Sequence, residues 1–184
     1  MKLPLQLAEI RAQLEHAKVE AERLAAGLTE EQLWQPPPDG GWSVGECLAH
    51  LNITGEGYLF KLDPALKGAA DRRGQGPFRL GLLGGALVRA SSPDANAKLK
   101  TPRTLLPERQ GDVLTRFLTL QDALLALTHR ADGLDLGPIK VSSPVSRFLR
   151  LSAFEALNAV TVHELRHLQQ AARVREALGG APRP

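Results

Sequence analysis

Cysteine occurs once in this 184-residue chain, at Cys47, which excludes an internal disulfide and suits a reducing compartment. Aromatic residues make up only 4% of the sequence and are not interleaved with basic ones, so stacking on nucleic-acid bases has little to work with. No hydrophobic run is long or clean enough for a membrane span, and the N-terminus lacks the apolar core of a signal peptide. A cytoplasmic protein without a membrane or nucleic-acid partner is therefore expected. Neither sign of charge dominates: the formal net charge is +3, and the basic residues are scattered instead of forming a dense run. Alternating strand-like stretches are missing as well.

What is present is helical periodicity. Hydrophobic residues at 43% suffice to fill the core of one domain spanning 1–184. Four helices are predicted, over about 4 to 27, 43 to 63, 108 to 131 and 150 to 178, giving an all-α fold. Pro36-Pro37-Pro38-Asp39-Gly40-Gly41 breaks the chain before the second helix, and the stretch from Asp132-Gly133 to Pro144 breaks it before the last. The connection from about 64 to 107 is rich in Gly, Pro and Arg, with one apolar run, Phe78 to Val88, that suits a short extra helix. Loops this long inside a compact domain tend to be functional or mobile. Gly180 to Pro184 reads as a frayed tail.

The most informative stretch is His163-Glu164-Leu165-Arg166-His167. Two histidines four apart on a helix project from one face and can grip a single metal ion. The stretch also fits the H-E-x-x-H pattern of zinc peptidases. That reading needs a third ligand downstream, a Glu on a following helix or a His beyond a Gly. Only seventeen residues follow His167, and their one carboxylate side chain, Glu176, lies in the same helical run, too far along to fold back. Leu168-Gln169-Gln170-Ala171-Ala172 supplies neither the Gly nor the third His. A third ligand has to lie upstream.

Three histidines are available there. His16 sits among Glu15, Lys18 and Glu20 on a solvated helix side, and His129 stands just before Arg130 near a helix C-terminus, where a cation suits the dipole. Neither has the surroundings of a ligand. His50 lies two turns into a helix opened by a capping box, Ser43-Val44-Gly45-Glu46. Val44, Leu48, Leu51 and Leu62 form the apolar stripe of that helix, and His50 falls outside it, near Cys47, Thr54 and Gly57. A glycine two turns on leaves room for an inward ligand, but on spacing alone a satisfied core or surface histidine is the better reading.

Trp34-Gln35-Pro36-Pro37, the segment Gly41-Trp42-Ser43-Val44-Gly45-Glu46-Cys47-Leu48-Ala49-His50-Leu51 and the distant His163-x-x-x-His167-Leu168 together resemble the DinB-like (YfiT-like) metalloenzyme superfamily. The resemblance covers nearly the whole chain. It implies a four-helix bundle of up-down-down-up order, with a long crossover between the second and third helices. It also implies that His50, His163 and His167 bind one divalent metal, commonly zinc or nickel. Some members transfer low-molecular-weight thiols such as bacillithiol, mycothiol or glutathione; others are described as metal-dependent hydrolases, and dimers are frequent.

Three neutral imidazoles leave an ion its full charge and an open coordination position, as in catalytic sites. Thiol S-transfer to a small-molecule substrate is the leading expectation; metal-dependent hydrolysis and a non-enzymatic, stress-linked binding role are the alternatives. Glu164 falls near the middle of the apolar face marked by Leu157, Val160, Leu168 and Ala171. It is the catalytic candidate, as general base or by orienting a ligand histidine, against the reading of a rim residue facing Arg103, Arg147 or water. Cys47 suits a small buried thiol better than a fourth ligand. Trp34 and Trp42 are expected to pack the first loop over the bundle end, and Tyr58 to sit half-buried on the stripe or donate into a cavity.

Overall fold

A computed structural model of the chain describes residues 4–95 and 100–179. The expected frayed tail from Gly180 to Pro184 lies outside the described residues. Four long helices form the bundle: α1 (Leu5–Ala25), α3 (Val44–Lys67), α5 (Val113–Ala131) and α6 (Ala153–Ala177). Two short ones, α2 (Glu30–Leu33) and α4 (Leu82–Ser91), lie in the connections, with a 3-10 turn at Arg103–Leu105. The expectation of no strand needs correction. Strands β1 (Lys140–Ser142) and β2 (Arg150–Ser152) pair antiparallel, with Val141 opposite Leu151. Three residues each are too few for an alternating pattern to stand out.

The helix ends follow local chemistry. Ser43 Oγ accepts from the Glu46 N–H at 3.1 Å and Glu46 Oε2 from the Ser43 N–H at 2.8 Å, so the capping box starts α3 as expected. A second box, Ser152 with Glu155, starts α6. Helix α3 runs past the expected end at 63 and through Pro64, where the missing N–H faces the turn of exposed Phe60. Helix α5 begins five residues later than expected, because Asp112 takes a left-handed conformation at φ 53°.

Helices α1 and α3 occupy one diagonal of the bundle, α5 and α6 the other, so each helix packs on the two from the opposite diagonal. Gly55 lets α3 approach α5 closely: a Cβ there would lie 2.5 Å from Leu120 Cδ2. The apolar core falls into two clusters. One is built from Leu7 to Leu14, Tyr58 to Leu66, Leu120 to Ala131, the hairpin and Leu151 to Val160; the other from Ala17 to Leu24, Val44 to Leu51, Val113 to Phe117 and Leu168 to Val174. Between them lies a layer of buried polar side chains: His50, Asn52, Thr54, Gln121, Thr161 and Glu164. The interruption falls at the height of the histidines. Because buried polar groups cost free energy unless satisfied, this layer is where function is to be sought.

At the far end of α6, Arg175 is 8% exposed and donates to the carbonyls of Leu24 and Ala26, each at 2.8 Å, closing the C-terminus of α1. Arg175→Ala should destabilise the fold by about 2–3 kcal/mol, since two carbonyls lose a charged donor. Urea denaturation would measure this. A change below about 0.5 kcal/mol would mean that water replaces the guanidinium.

Candidate metal centre

His50, on the second and third turns of α3, meets His163 and His167 from the middle of α6. One nitrogen from each ring lies within 4.8 Å of the other two, and the Nε2 atoms of His50 and His163 stand 3.0 Å apart. Hydrogen bonds on the far side of two rings set the tautomer. His50 Nδ1 lies 2.7 Å from the Leu105 carbonyl, which can only accept, so Nδ1 carries the proton and Nε2 presents a lone pair. His167 Nδ1 likewise faces Gln170 Oε1 at 3.0 Å. These are the outer partners that orient metal-ligating imidazoles.

Burial keeps all three rings neutral. It lowers the pKa of His50, lowers that of His163 well below the usual range, and pushes His167 down to about 3. The neighbouring imidazoles and the charge of Arg166 add to the effect on His163 and His167. Three neutral nitrogen donors, two with fixed tautomers, fit a divalent metal with bonds of about 2.0–2.1 Å. Protons compete with the metal for such nitrogens, and with folded pKa values below 6.5 that competition starts only at lower pH. Zinc affinity should therefore fall less than about tenfold between pH 7.5 and 5.5, where three ordinary imidazoles would lose about a thousandfold. Competition against a chromophoric chelator measures it. A thousandfold loss would show that the rings titrate as if exposed.

The cluster opens on a cavity of about 410 Å³. Trp42, Tyr58, Leu87, Pro144, Val145 and Ala159 supply apolar wall; Thr54, Ser91, Lys100, Thr101, Arg166 and Gln170 supply polar groups. Helix α4 runs beside α6 and is held at both ends. The Gly81 N–H donates to Glu155 Oε1 at 2.7 Å, and Arg166 Nη1 donates to the Ala90 carbonyl at 2.8 Å.

Several expectations change here. Trp42 does pack with Trp34 against the second apolar cluster, but it also lines the cavity, its ring 4.8 Å from that of His50 and 5.5 Å from that of His167. Gly57 does not make room for the metal; it lies against Pro144 of the hairpin connection. Tyr58 is buried at 4% exposure and lines the cavity. Cys47 is fully buried in the apolar cluster and its thiol is pushed up to about 12, as befits an inert packing residue. His16 and His129 are exposed, the latter 2.6 Å from Arg11 Nη1.

Glu164 is 1% exposed, so it is not a rim residue. Its Oε1 accepts from Gln121 Nε2 at 2.9 Å, on the diagonally opposite helix α5, and it is not among the residues lining the cavity. The hydrogen bond described for Glu164 is thus to Gln121 and not to a ligand histidine. Burial pushes its pKa up to about 8, with the Gln121 bond opposing in part. Sequence reasoning missed Gln121, Arg166 and Gln170. The last two were accessible in principle: they stand three residues after His163 and His167, one turn along the same face.

A helical bundle in which imidazoles from two helices converge beside a cavity has the arrangement of bundles that build a metal site from facing helices. The chain belongs to the DinB superfamily, whose family model matches residues 13–171. Among solved structures it is similar to YfiT from Bacillus subtilis, described as a probable metal-dependent hydrolase with an unusual four-helix bundle topology. The TM-score is 0.62 at 16% identity, with 98% of this chain and 92% of that chain covered, a likeness in fold. No curated protein matches the chain. Among the described residues no helix is long and apolar enough to cross a membrane.

Proposed function

We propose that this protein is a metal-dependent enzyme acting on a small molecule, with thiol S-transfer as its reaction. The observation that carries the reading is the convergence of three neutral imidazoles on a cavity whose described lining contains no carboxylate. When bound, a divalent ion such as zinc or nickel supplies Lewis-acid activation of an oxygen or sulfur nucleophile. The rest falls to the chain itself. His50, His163 and His167 hold the ion, Leu105 and Gln170 aim two of the rings, and Trp42 shields them from bulk water. Glu164 serves as a buried partner of Gln121. A thiol, with a pKa near 8.5, gives up its proton without a dedicated base, whereas hydrolysis gains from one. Hydrolysis is the second reading, favoured by the description of YfiT.

The same proposal takes 1–184 as one domain in up-down-down-up order. Contacts between α3 and α5 support it, since Asn52 with Val113, Glu56 with Arg116 and Asp63 with Arg130 climb both helices together, as parallel neighbours do. Lys18 with Asp122 and Arg11 with His129 run in opposite senses along α1 and α5. The connection from 68 to 112 makes such a crossover possible.

Turnover of an aromatic chloride electrophile with bacillithiol, mycothiol or glutathione, using protein of measured metal content, tests the reaction. Thiol-dependent and metal-dependent turnover is expected. Hydrolysis of ester or amide substrates without added thiol would select the second reading, and inactivity in both panels would contradict the enzymatic one.

A further inference from the structure

We propose that the substrate carries an elongated apolar body, seated in a slot that runs from the three histidines along α3 and α6 to Tyr58 and Val145. The inference rests on the reading of the cavity as a substrate site and adds the chemical class of the molecule. Helix α3 lines the cavity with His50, Thr54 and Tyr58, and α6 lines it with Ala159, His163 and His167. Residues four apart stack on one helix face, so each row follows its helix axis. His50 to Tyr58 and Ala159 to His167 are equal stretches, each about 12 Å long at a rise of 1.5 Å per residue. The two helices run in opposite senses, because Val44 to Leu51 share an apolar cluster with Leu168 to Val174, and Tyr58 shares the other with Phe154 to Val160. Both rows therefore have the histidines at one end and Tyr58 with Ala159 at the other.

The end away from the histidines is apolar and fixed in place. Pro144 and Val145 close it, and their segment is held on α3: Lys61 Nζ donates to the Ser143 carbonyl at 3.1 Å, and a Cβ on Gly57 would lie 3.1 Å from Pro144 Cβ. Helix α4 adds Leu87 and Ala90 along one side. Polar side chains also line the cavity, but the protein itself engages several of them. Thr54 Oγ1 donates to the His50 carbonyl at 2.9 Å, Gln170 Oε1 faces His167 Nδ1 at 3.0 Å, and Arg166 Nη1 donates to the Ala90 carbonyl at 2.8 Å. Lys100 is exposed, so its ammonium stays hydrated at the rim. Beyond the histidines the slot thus offers mainly carbon surface, which rewards an apolar ligand in proportion to the area it buries. The volume of about 410 Å³ is in the range of small-molecule sites. With C–C bonds of about 1.5 Å an extended chain advances about 1.25 Å per carbon, so about nine or ten carbons fill the length of the slot.

The test uses the full chain and two series of straight-chain probes, from butanoyl to dodecanoyl. Hydroxamates, which chelate zinc, are titrated calorimetrically into protein offered one equivalent of zinc, and the matching primary amides, which need no ion, into protein treated with a chelator. Affinity should rise about fourfold per methylene and level off at about nine or ten carbons, where the chain reaches Val145. Val145 is 48% exposed, so a polar side chain there is compatible with folding, which circular dichroism checks. Val145→Asp should weaken the decanoyl probes more than about tenfold, the loss of two buried methylenes. Affinity independent of chain length, a rise that continues to dodecanoyl, or a decanoyl affinity unchanged in Val145→Asp would overturn the inference. Zinc uptake is read separately. Protein that takes up no zinc but shows the rise and plateau with the amides keeps the slot and loses the metal-dependent reaction; protein that takes up zinc and binds every hydroxamate equally does the reverse.

Discussion

His163→Ala and His167→Ala should each leave a folded bundle that binds a divalent ion at least about a hundredfold more weakly than the native chain. Loss of an outer partner of a metal ligand typically costs ten- to a hundredfold, and loss of the ligand itself removes both a bond and the geometry that the other two share. Folding should survive, since both rings border a cavity and belong to neither apolar core cluster. His50→Ala should behave alike, with the added effect that the Leu105 carbonyl loses its donor. His16→Ala and His129→Ala should keep native affinity, both side chains being exposed and outside the cluster. Metal content after dialysis, with helicity by circular dichroism as a control, reads the result. Native affinity in His50→Ala would remove the upstream ligand from the account.

Glu164→Gln should make the metal-free protein more stable at alkaline pH. Burial raises the folded pKa of Glu164 from 4.5 to about 8, so between those values the folded chain holds a proton that the unfolded chain has released. The native protein therefore loses stability as pH rises through that window and levels off above it. The whole effect is of order 4 kcal/mol, at 1.36 kcal/mol per unit. An amide keeps an acceptor for Gln121 Nε2 and has no proton to lose, so the variant should match the native chain near pH 5 and exceed it by a few kcal/mol at pH 8. Its metal content and turnover should be unchanged. A fall in turnover of two to four powers of ten with metal retained would restore the general-base role. Parallel stability profiles would show that the carboxylate is ionised in the fold.

The bundle was legible because its evidence is local. Apolar spacing marked all four long helices, and Ser43 with Glu46 announced the start of α3 at the right residue. Ser152 and Glu155 carry the same signature, but it lies inside the span from 150 that apolar spacing predicts as helix, where Arg150–Ser152 is instead strand β2. The extra helix expected over Phe78 to Val88 lies a few residues later, at Leu82–Ser91. The approach of His50 to His163 is long-range and could be expected only from the resemblance. Glu164 illustrates the limit well. Its place on the apolar face was visible in the helical projection, but its partner Gln121 lies 43 residues away on another helix. Trp42 shows the same limit: it packs on the second apolar cluster as expected, and only with α6 in place does that position also lie beside His50 and His167.

The central claim is that one ion is held by three imidazoles from two helices. X-ray absorption on protein loaded with a single equivalent of zinc addresses it directly, because nitrogen and sulfur ligands differ in distance and imidazole scatters in a recognisable way. The account predicts three imidazole nitrogens at about 2.0–2.1 Å and no sulfur. A sulfur shell near 2.3 Å, which would bring Cys47 out of the core, or fewer than three imidazoles, would contradict it.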